Sequence, residues 1–230
     1  MKRPPTLADL ATAEDGSQTF FHFEGTINAF NFGEGATALF GLSGFNVRRR
    51  FEHQGSTFML SRELAFYLDL ETGAILRSWQ NAFTGKTVTV VPIQNDPVNL
   101  NLSKGNEVVS LGDYWSYRQE VYPCYPLPGQ STLYTSAEHF HFLLSKRDWQ
   151  QGKSDRVVCS WSRSGPWLNW MEMEEKPGFL QYHATGRRIQ SEEQLPAWLL
   201  REAAENYPLF LTAPKELTRN KNATSFNQIV

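Results

Sequence analysis

This chain of 230 residues has little cysteine, no excess of positive charge and no long apolar run. Its two cysteines cannot supply a disulfide framework, so a reduced, cytoplasmic chain is the simplest interpretation. Its formal net charge of −2 lacks the basic surface typical of nucleic-acid-binding proteins. The only basic run, at 48–50, is interpreted as the solvated end of a strand. No stretch is apolar enough to span a bilayer or to act as a secretory signal, so we expect no nucleic-acid or membrane partner.

Motifs for nucleotide, flavin and nucleophilic chemistry are also missing. The sequence has no GxSxG elbow, no P-loop and no GxGxxG after a strand. His139 and His141 are spaced to share a strand face, but no third ligand is indicated nearby. A pair of polar strand residues is therefore favoured over a zinc site, and we expect neither a cofactor nor a metal.

Short apolar or alternating runs, separated by turn-forming stretches such as DLETG and FTGK, fill most of the sequence. Hairpin-length links leave no room for the long crossovers of parallel strands. The sequence therefore predicts an all-β fold, a single antiparallel β-barrel of calycin or lipocalin type with about ten strands. The predicted strands span residues 19–30, 36–51, 57–70, 74–83, 87–93, 108–121, 132–144, 156–164, 168–173 and 179–188.

One helix is expected near the C-terminus. Ser191, followed by Gln194 three residues later, forms a capping-box pattern, and the apolar positions that follow share a helix face. Pro208 is expected to end this helix. The domain core is predicted to run from about residue 17 to 213, with 214–230 as a polar tail.

Three charged residues interrupt apolar rows in the predicted strands. Because alternate residues of a strand share a face, Arg62, Glu138 and Arg163 are each predicted to lie among apolar side chains. Burying a charge costs free energy unless it is paired, so we expect the three to meet. Two interpretations are open: an ion pair that joins strands, or a polar cluster in a cavity whose carboxyl group acts in acid–base chemistry.

The stretch WSRSGPWLNWM holds three of the seven tryptophans. A bend at Gly-Pro is predicted to divide it, with Trp161 and Arg163 side by side on an inward row. Trp167 and Trp170 follow the bend on opposite faces if the strand is regular. The three tryptophans therefore cannot all line one wall of a pocket.

Two blocks of the sequence resemble domain-of-unknown-function family 1838. They are SRELAFYLDLETGAILRSWQNAFTGKTVTVVPIQNDPVN, and SWSRSGPWLNWM followed by GFLQYHATGRR; YTSAEHFHFL matches a further element. The resemblance extends from about Phe20 to Pro214. The chain departs from the family pattern at Ala82, where proline is usual, and before NDPVN, where histidine is frequent. The resemblance implies an all-β, barrel-like fold and a place in secondary metabolism, but it settles no activity.

Row position, chemistry and the family blocks together give a set of candidate site residues. The candidate catalytic residues are Glu138, Arg163, Arg62 and His183. The candidate substrate-binding residues are Trp161, Trp167, Tyr67, Trp79, Asn95, Asp96 and Tyr182.

Three functions are compatible with such a site. The first is a cofactor-independent enzyme acting on a hydrophobic, natural-product-like molecule by cyclisation, isomerisation, hydration or a pericyclic step such as a Diels–Alder reaction. The second is a carrier of a lipophilic ligand, and the third is an interaction module whose tryptophans pack a core. The oligomeric state is open, a homodimer being one option.

Overall fold

The computed structural model describes residues 2–103, 107–122, 124–126, 133–218 and 222–223. Its strands are β1 (Thr19–Phe30), β2 (Ala36–His53), β3 (Ser56–Leu68), β4 (Ser78–Gln80), β5 (Thr87–Thr89), β6 (Ile93–Asn101), β7 (Val109–Leu111), β8 (Tyr114–Val121), β9 (Cys124–Pro126), β10 (Leu133–Thr135), β11 (Ala137–Ser145), β12 (Val158–Gly165), β13 (Phe179–Ile189) and β14 (Asn222–Ala223). Its helices are α1 (Leu7–Ala11), α2 (Lys146–Gln150) and α3 (Ala197–Asn206), with short 3₁₀ segments at Ser154–Arg156, Asn169–Met171, Glu192–Gln194 and Pro208–Leu211.

One antiparallel sheet contains ten of these strands, in the order β14-β6-β3-β2-β1-β13-β12-β11-β8-β7. The short pairs β4–β5 and β9–β10 lie outside it. The expectation of a mostly β, antiparallel fold is thus confirmed. Within the described part of the chain no hydrogen-bonded pairing joins β7 to β14, so the closed calycin-like barrel stays a prediction.

The long strands were predicted best, whereas one predicted strand is absent and several elements, among them β6, α1 and α2, were not predicted. β1 has the predicted bounds, whereas the predicted strand 168–173 is a 3₁₀ turn at Asn169–Met171. The side chain of Asn81 donates a hydrogen bond to the Met171 carbonyl at 2.8 Å, a backbone group that a sheet would have paired. β6 was missed because the polar NDPVN stretch, with proline inside, does not resemble a strand.

The C-terminal helix exists, but its predicted start is wrong. Ser191 makes no capping hydrogen bond from its side chain, and the Gln194 carbonyl oxygen Oε1 accepts from the Gln190 N–H instead. Leu195 is extended, as a residue before proline usually is, so α3 begins only after Pro196. The predicted tail is described only over 214–218 and at β14; the rest of 214–230 lies outside the described residues.

The sheet is bent where glycines allow strands to approach closely. A Cβ atom on Gly44 would lie 2.2 Å from the Cβ of Ala65 on β3. A Cβ on Gly25 would lie 2.0 Å from the His183 carbonyl oxygen on β13. A larger residue at either position would force these strands apart, so the two glycines permit the inward curl of the sheet.

The outer face of the curled sheet is covered by α3. Leu199 and Ala203 of the helix are fully buried in a cluster with residues of β2 and β3. On β3 this cluster contains Leu64 and Phe66, which occupy the same alternating row as Arg62. The opposite row of β3 therefore faces the interior of the curl.

The N-terminal segment belongs to the packed structure, although the core was predicted to begin near residue 17. Leu10 in α1 is fully buried, and Leu7 is 6% exposed. The guanidinium of Arg188 donates to the carbonyl oxygens of Asp9 at 2.9 Å and Thr12 at 2.8 Å. These hydrogen bonds satisfy carbonyl groups at the end of α1 and fix the helix against the sheet.

Candidate functional site

The inner face of the sheet surrounds a cavity of about 340 Å³. Eight adjacent strands, from β6 to β8 in sheet order, contribute to its wall, together with α1. Most of the wall is apolar, and its large side chains are Phe21, Phe23, Met59, Phe140, Phe142 and Trp161. A volume and composition of this kind suit a small organic ligand.

Glu138 of β11 places a carboxyl group in this wall. The indole N–H of Trp161 donates to its Oε2 at 3.1 Å. Arg163 is directly opposite Glu138 in the β11–β12 register. Burial raises the pKa of Glu138, while the positive charge of Arg163 and the Trp161 hydrogen bond oppose this increase. The net result is a carboxyl group that stays protonated to higher pH than usual.

Glu63 of β3 supplies a second carboxyl group to the same wall. Burial raises its pKa, and hydrogen bonds from Asn95 and Asn46 act in the opposite direction. The nearby charge of Glu138 raises the pKa of Glu63 further. Two carboxyl groups therefore line one cavity, and each has a raised pKa.

Arg48 of β2 is the cation of the cavity wall. Its side chain is 8% exposed, and its guanidinium carbon lies 4.4 Å from the centre of the Phe21 ring. Burial lowers the pKa of Arg48 to about 10, which still leaves it charged near neutral pH. The interpretation of residues 48–50 as a solvated strand end was therefore wrong for Arg48.

A second set of polar side chains lies beside the cavity without lining it. It is centred on Arg163, which follows Trp161 on the same face of β12. Arg163 is fully buried there, 4.9 Å from the centre of the Tyr182 ring. Burial raises the pKa of Tyr67 well above its usual value; the neighbouring Tyr182 adds to this, and Arg163 opposes it. Tyr67 therefore stays neutral, and both tyrosines are buried in the core next to the cavity but outside its lining.

The structure brings part of the predicted site together. Trp161, Glu138 and Asn95 line the cavity, and Arg163 lies in the same β12 row as Trp161. The prediction that Trp161 and Arg163 share an inward row agrees with this arrangement. Tyr67 and Tyr182 pack beside Arg163 without reaching the cavity surface.

Arg62 does not join this group, contrary to the expectation that the three charges meet. Its Nε donates to Asp96 Oδ1 at 2.6 Å, and its Nη1 donates to the Thr212 carbonyl at 2.5 Å. Arg62 and Asp96 therefore lie on the outer face, near the chain that follows α3. The alternation was inferred correctly, but β3 is covered on both faces, so an apolar row does not identify the inner face.

Three other candidates also lie away from the cavity lining. His183 is exposed, because it alternates with the inward residues Tyr182 and Ala184 of β13. Trp167 is buried and donates its indole N–H to the Lys176 carbonyl at 2.9 Å. Trp79 packs in the same core cluster. These positions give His183 no access to a cavity ligand and give the two tryptophans structural roles.

Sequence reasoning missed Glu63, Arg48 and Asn46. The signal for Glu63 was present, since it shares an alternating row with Ser61 and Tyr67, but its neighbour Arg62 in the other row looked more anomalous. Arg48 was hidden in a basic run. Only the pairing of β2 with β3, which sets Asn46 opposite Glu63 and Arg48 opposite Ser61, brings these side chains together.

Within the described ranges, no three His, Cys, Asp or Glu side chains are grouped as metal ligands. His141 instead forms a 2.9 Å hydrogen bond between its Nε2 and the Ser116 hydroxyl. Among the same residues, no helix has the length and apolarity required to cross a membrane.

No curated protein matches the sequence. A protein-family model does match, and it extends over residues 16–229, which include all the strands of the sheet and the cavity wall except Leu7 and Ala11 of α1. The chain therefore belongs to the family described as "Protein of unknown function (DUF1838)".

Proposed function

We propose that the curled sheet acts as a barrel around a hydrophobic small molecule and that Glu63 and Glu138 transfer protons to or from it. The observation that carries this proposal is the presence of two carboxyl groups with raised pKa values in one apolar cavity. Paired carboxyl groups in apolar surroundings are a recurrent arrangement for acid–base catalysis.

The surroundings of the two carboxyl groups suggest a division of roles. Glu138 lies near the Arg163 charge and accepts a hydrogen bond from Trp161, both of which favour its ionised form. Glu63 lies near Glu138, which favours its protonated form. Glu138 is thus the better candidate base and Glu63 the better candidate acid. Such a pair suits an isomerisation, a cyclisation or a hydration of a bound molecule without a cofactor.

The second candidate function is transport or storage of a lipophilic ligand. The apolar lining, with Phe21, Phe140 and Phe142, serves binding whether or not chemistry follows. The two functions differ in what they require of Glu138. A carrier needs the cavity alone, whereas an enzyme also needs the ionisable group.

Binding is tested with N-phenylnaphthylamine, a neutral dye whose fluorescence increases in apolar surroundings. Gln119→Trp adds a large side chain to the cavity wall on β8, and Glu120→Trp adds the same side chain to the exposed face of that strand. We expect the first variant to weaken dye binding by about tenfold or more, since it fills the site, and the second to leave binding unchanged. Equal binding by both variants and the wild type would place the dye elsewhere.

Chemistry is tested with nitrobenzisoxazole, a flat apolar molecule that opens to a coloured phenolate when a base removes its ring proton. We expect the wild-type protein to accelerate this reaction and Glu138→Gln to lower the rate by about 100-fold with the fold intact. Glu120→Gln, on the exposed face, is the matched control. Dye binding without acceleration beyond the Glu138→Gln variant would contradict the role of Glu138 as a base and favour the carrier function.

A further inference from the structure

Arg48 is a buried cation in a cavity that otherwise offers a ligand mostly apolar surface. Its guanidinium stacks on Phe21, and its Nη2 donates to Asn46 Oδ1 at 2.9 Å. Its buried Nε has no hydrogen-bond partner among the described residues. A buried guanidinium with an unused donor is costly, so this group is set up to bind a further acceptor.

In the described structure, two other largely buried arginines, unlike Arg48, form an ion pair with a carboxylate. Arg62 reaches Asp96 at 2.6 Å, and Arg50 reaches Asp9 at 3.2 Å. Within the described residues Arg48 forms no such ion pair, and Glu63 affects it only through longer-range electrostatics. Since Glu63 is held towards its protonated form, it compensates the charge of Arg48 poorly.

We propose, building on the cavity's proposed binding function, that its ligand carries a carboxylate that binds Arg48 while an apolar body extends past Phe142 and Trp161. The carboxylate would supply the missing counter-charge and accept from the unused guanidinium donor. The apolar body would then lie along the aromatic wall and bring its far end towards Glu138.

A carboxylate fits this position better than a phosphate does. The planar guanidinium matches a carboxylate with two parallel hydrogen bonds. A phosphate carries up to two charges and would need further cations, but Arg188, which lies near Arg48, already donates to the carbonyl groups of α1.

The test compares decanoate with decanol, which have the same apolar chain and differ in the head group. Isothermal titration near neutral pH measures both ligands against the wild type, Arg48→Met and Arg49→Met. Arg49 is the matched control, because it is adjacent to Arg48 and alternates to the other face of β2. We expect the wild type and Arg49→Met to bind decanoate about tenfold or more tightly than decanol. Arg48→Met is expected to lose this preference while still binding decanol.

Each other outcome is decisive. Equal binding of acid and alcohol by the wild type, or a preference that persists in Arg48→Met, overturns the carboxylate proposal but leaves the cavity's binding function standing. Binding of neither ligand by the wild type contradicts the binding function itself. If Arg48→Met does not fold, Arg48→Lys keeps the charge without the planar fork, and a preference for the acid must then persist at reduced affinity.

Discussion

Asp9 in α1 and the carboxyl groups of the cavity wall are all largely buried, yet their pKa values move in opposite directions. Burial raises the pKa at all three sites. At Asp9, hydrogen bonds from Arg3, Thr6 and Arg50 outweigh burial and lower the pKa to about 2. At Glu63 and Glu138, the opposing groups do not outweigh burial, and the pKa stays raised.

The difference lies in the hydrogen-bond donors that reach each carboxyl group. Asp9 has two guanidinium groups within 3.2 Å, so it is fixed as an anion and serves the structure. Glu138 has one indole N–H and Glu63 has amide groups, which stabilise an anion less than a direct ion pair does. A buried carboxyl group whose ionisation is still adjustable is the kind that can exchange protons with a ligand.

The largest expected effect on stability is at Asp9, the carboxyl group that is fixed as an anion. Asp9→Asn removes the charge that Arg3 and Arg50 share, and we expect a loss of about 2 kcal/mol in the free energy of unfolding near neutral pH. Because the folded pKa lies below the unfolded value of 3.8, this stability is present above 3.8 and is lost as pH falls towards about 2. Urea unfolding at several pH values measures it.

The matched control is Asp15→Asn, an exposed aspartate that has no arginine partner in the described structure. It should leave the unfolding free energy nearly unchanged near neutral pH. A destabilisation by Asp9→Asn that is the same at acidic and neutral pH would mean that packing, and not charge, explains the effect.

A smaller loss is expected at the outer ion pair. Arg62→Met and Asp96→Asn should each cost about 1–2 kcal/mol, with a coupling energy near 1 kcal/mol in a double-mutant cycle, because both side chains are largely buried. Neither variant should change binding of N-phenylnaphthylamine, since the pair lies outside the cavity. A change in dye binding with stability intact would link the outer face to the site.

The inner and outer faces of the sheet explain how much of the site could be predicted from the sequence. Period-2 alternation correctly set Trp161 beside Arg163 and drew attention to Glu138, because alternation is a local property of any strand. It could not tell which row of β3 faces inward. That depends on α3, which covers the row with Arg62 and leaves the row with Glu63 to the cavity.

The register of the strands and the curvature of the sheet could not be predicted either, because both depend on which strands are neighbours. Glu63 meets Asn95 through β6, a strand whose polar composition concealed it. The close approach of neighbouring strands at Gly25 and Gly44 leaves no space for a Cβ atom. The sequence does not show which strands are neighbours, so nothing in it distinguishes these two glycines from the others.

The stability contribution of Glu138, in the cavity wall, depends on pH with the opposite sign to that of Asp9. The folded pKa of Glu138 lies above its unfolded value of 4.5, so its stability contribution is complete below 4.5 and is lost as pH rises through the folded pKa. Glu138→Gln should therefore gain stability relative to the wild type between acidic and neutral pH. Urea unfolding across this range measures the gain, and a relative loss would contradict the raised pKa.

The smallest expected effect concerns the hydrogen bond from Trp161 to Glu138. Trp161→Phe keeps an aromatic ring in the wall but removes the N–H that favours the ionised carboxylate. The pKa of Glu138 should rise further, so the pH midpoint of nitrobenzisoxazole opening should move upward. The shift should be less than about one unit, because a hydrogen bond near 1 kcal/mol corresponds to less than one pKa unit. Phe142→Leu removes a wall aromatic whose ring contacts are with Phe21 and Tyr117, and it should leave the midpoint in place. An equal shift in both variants would mean that cavity polarity, and not the indole N–H, sets the proton affinity of Glu138.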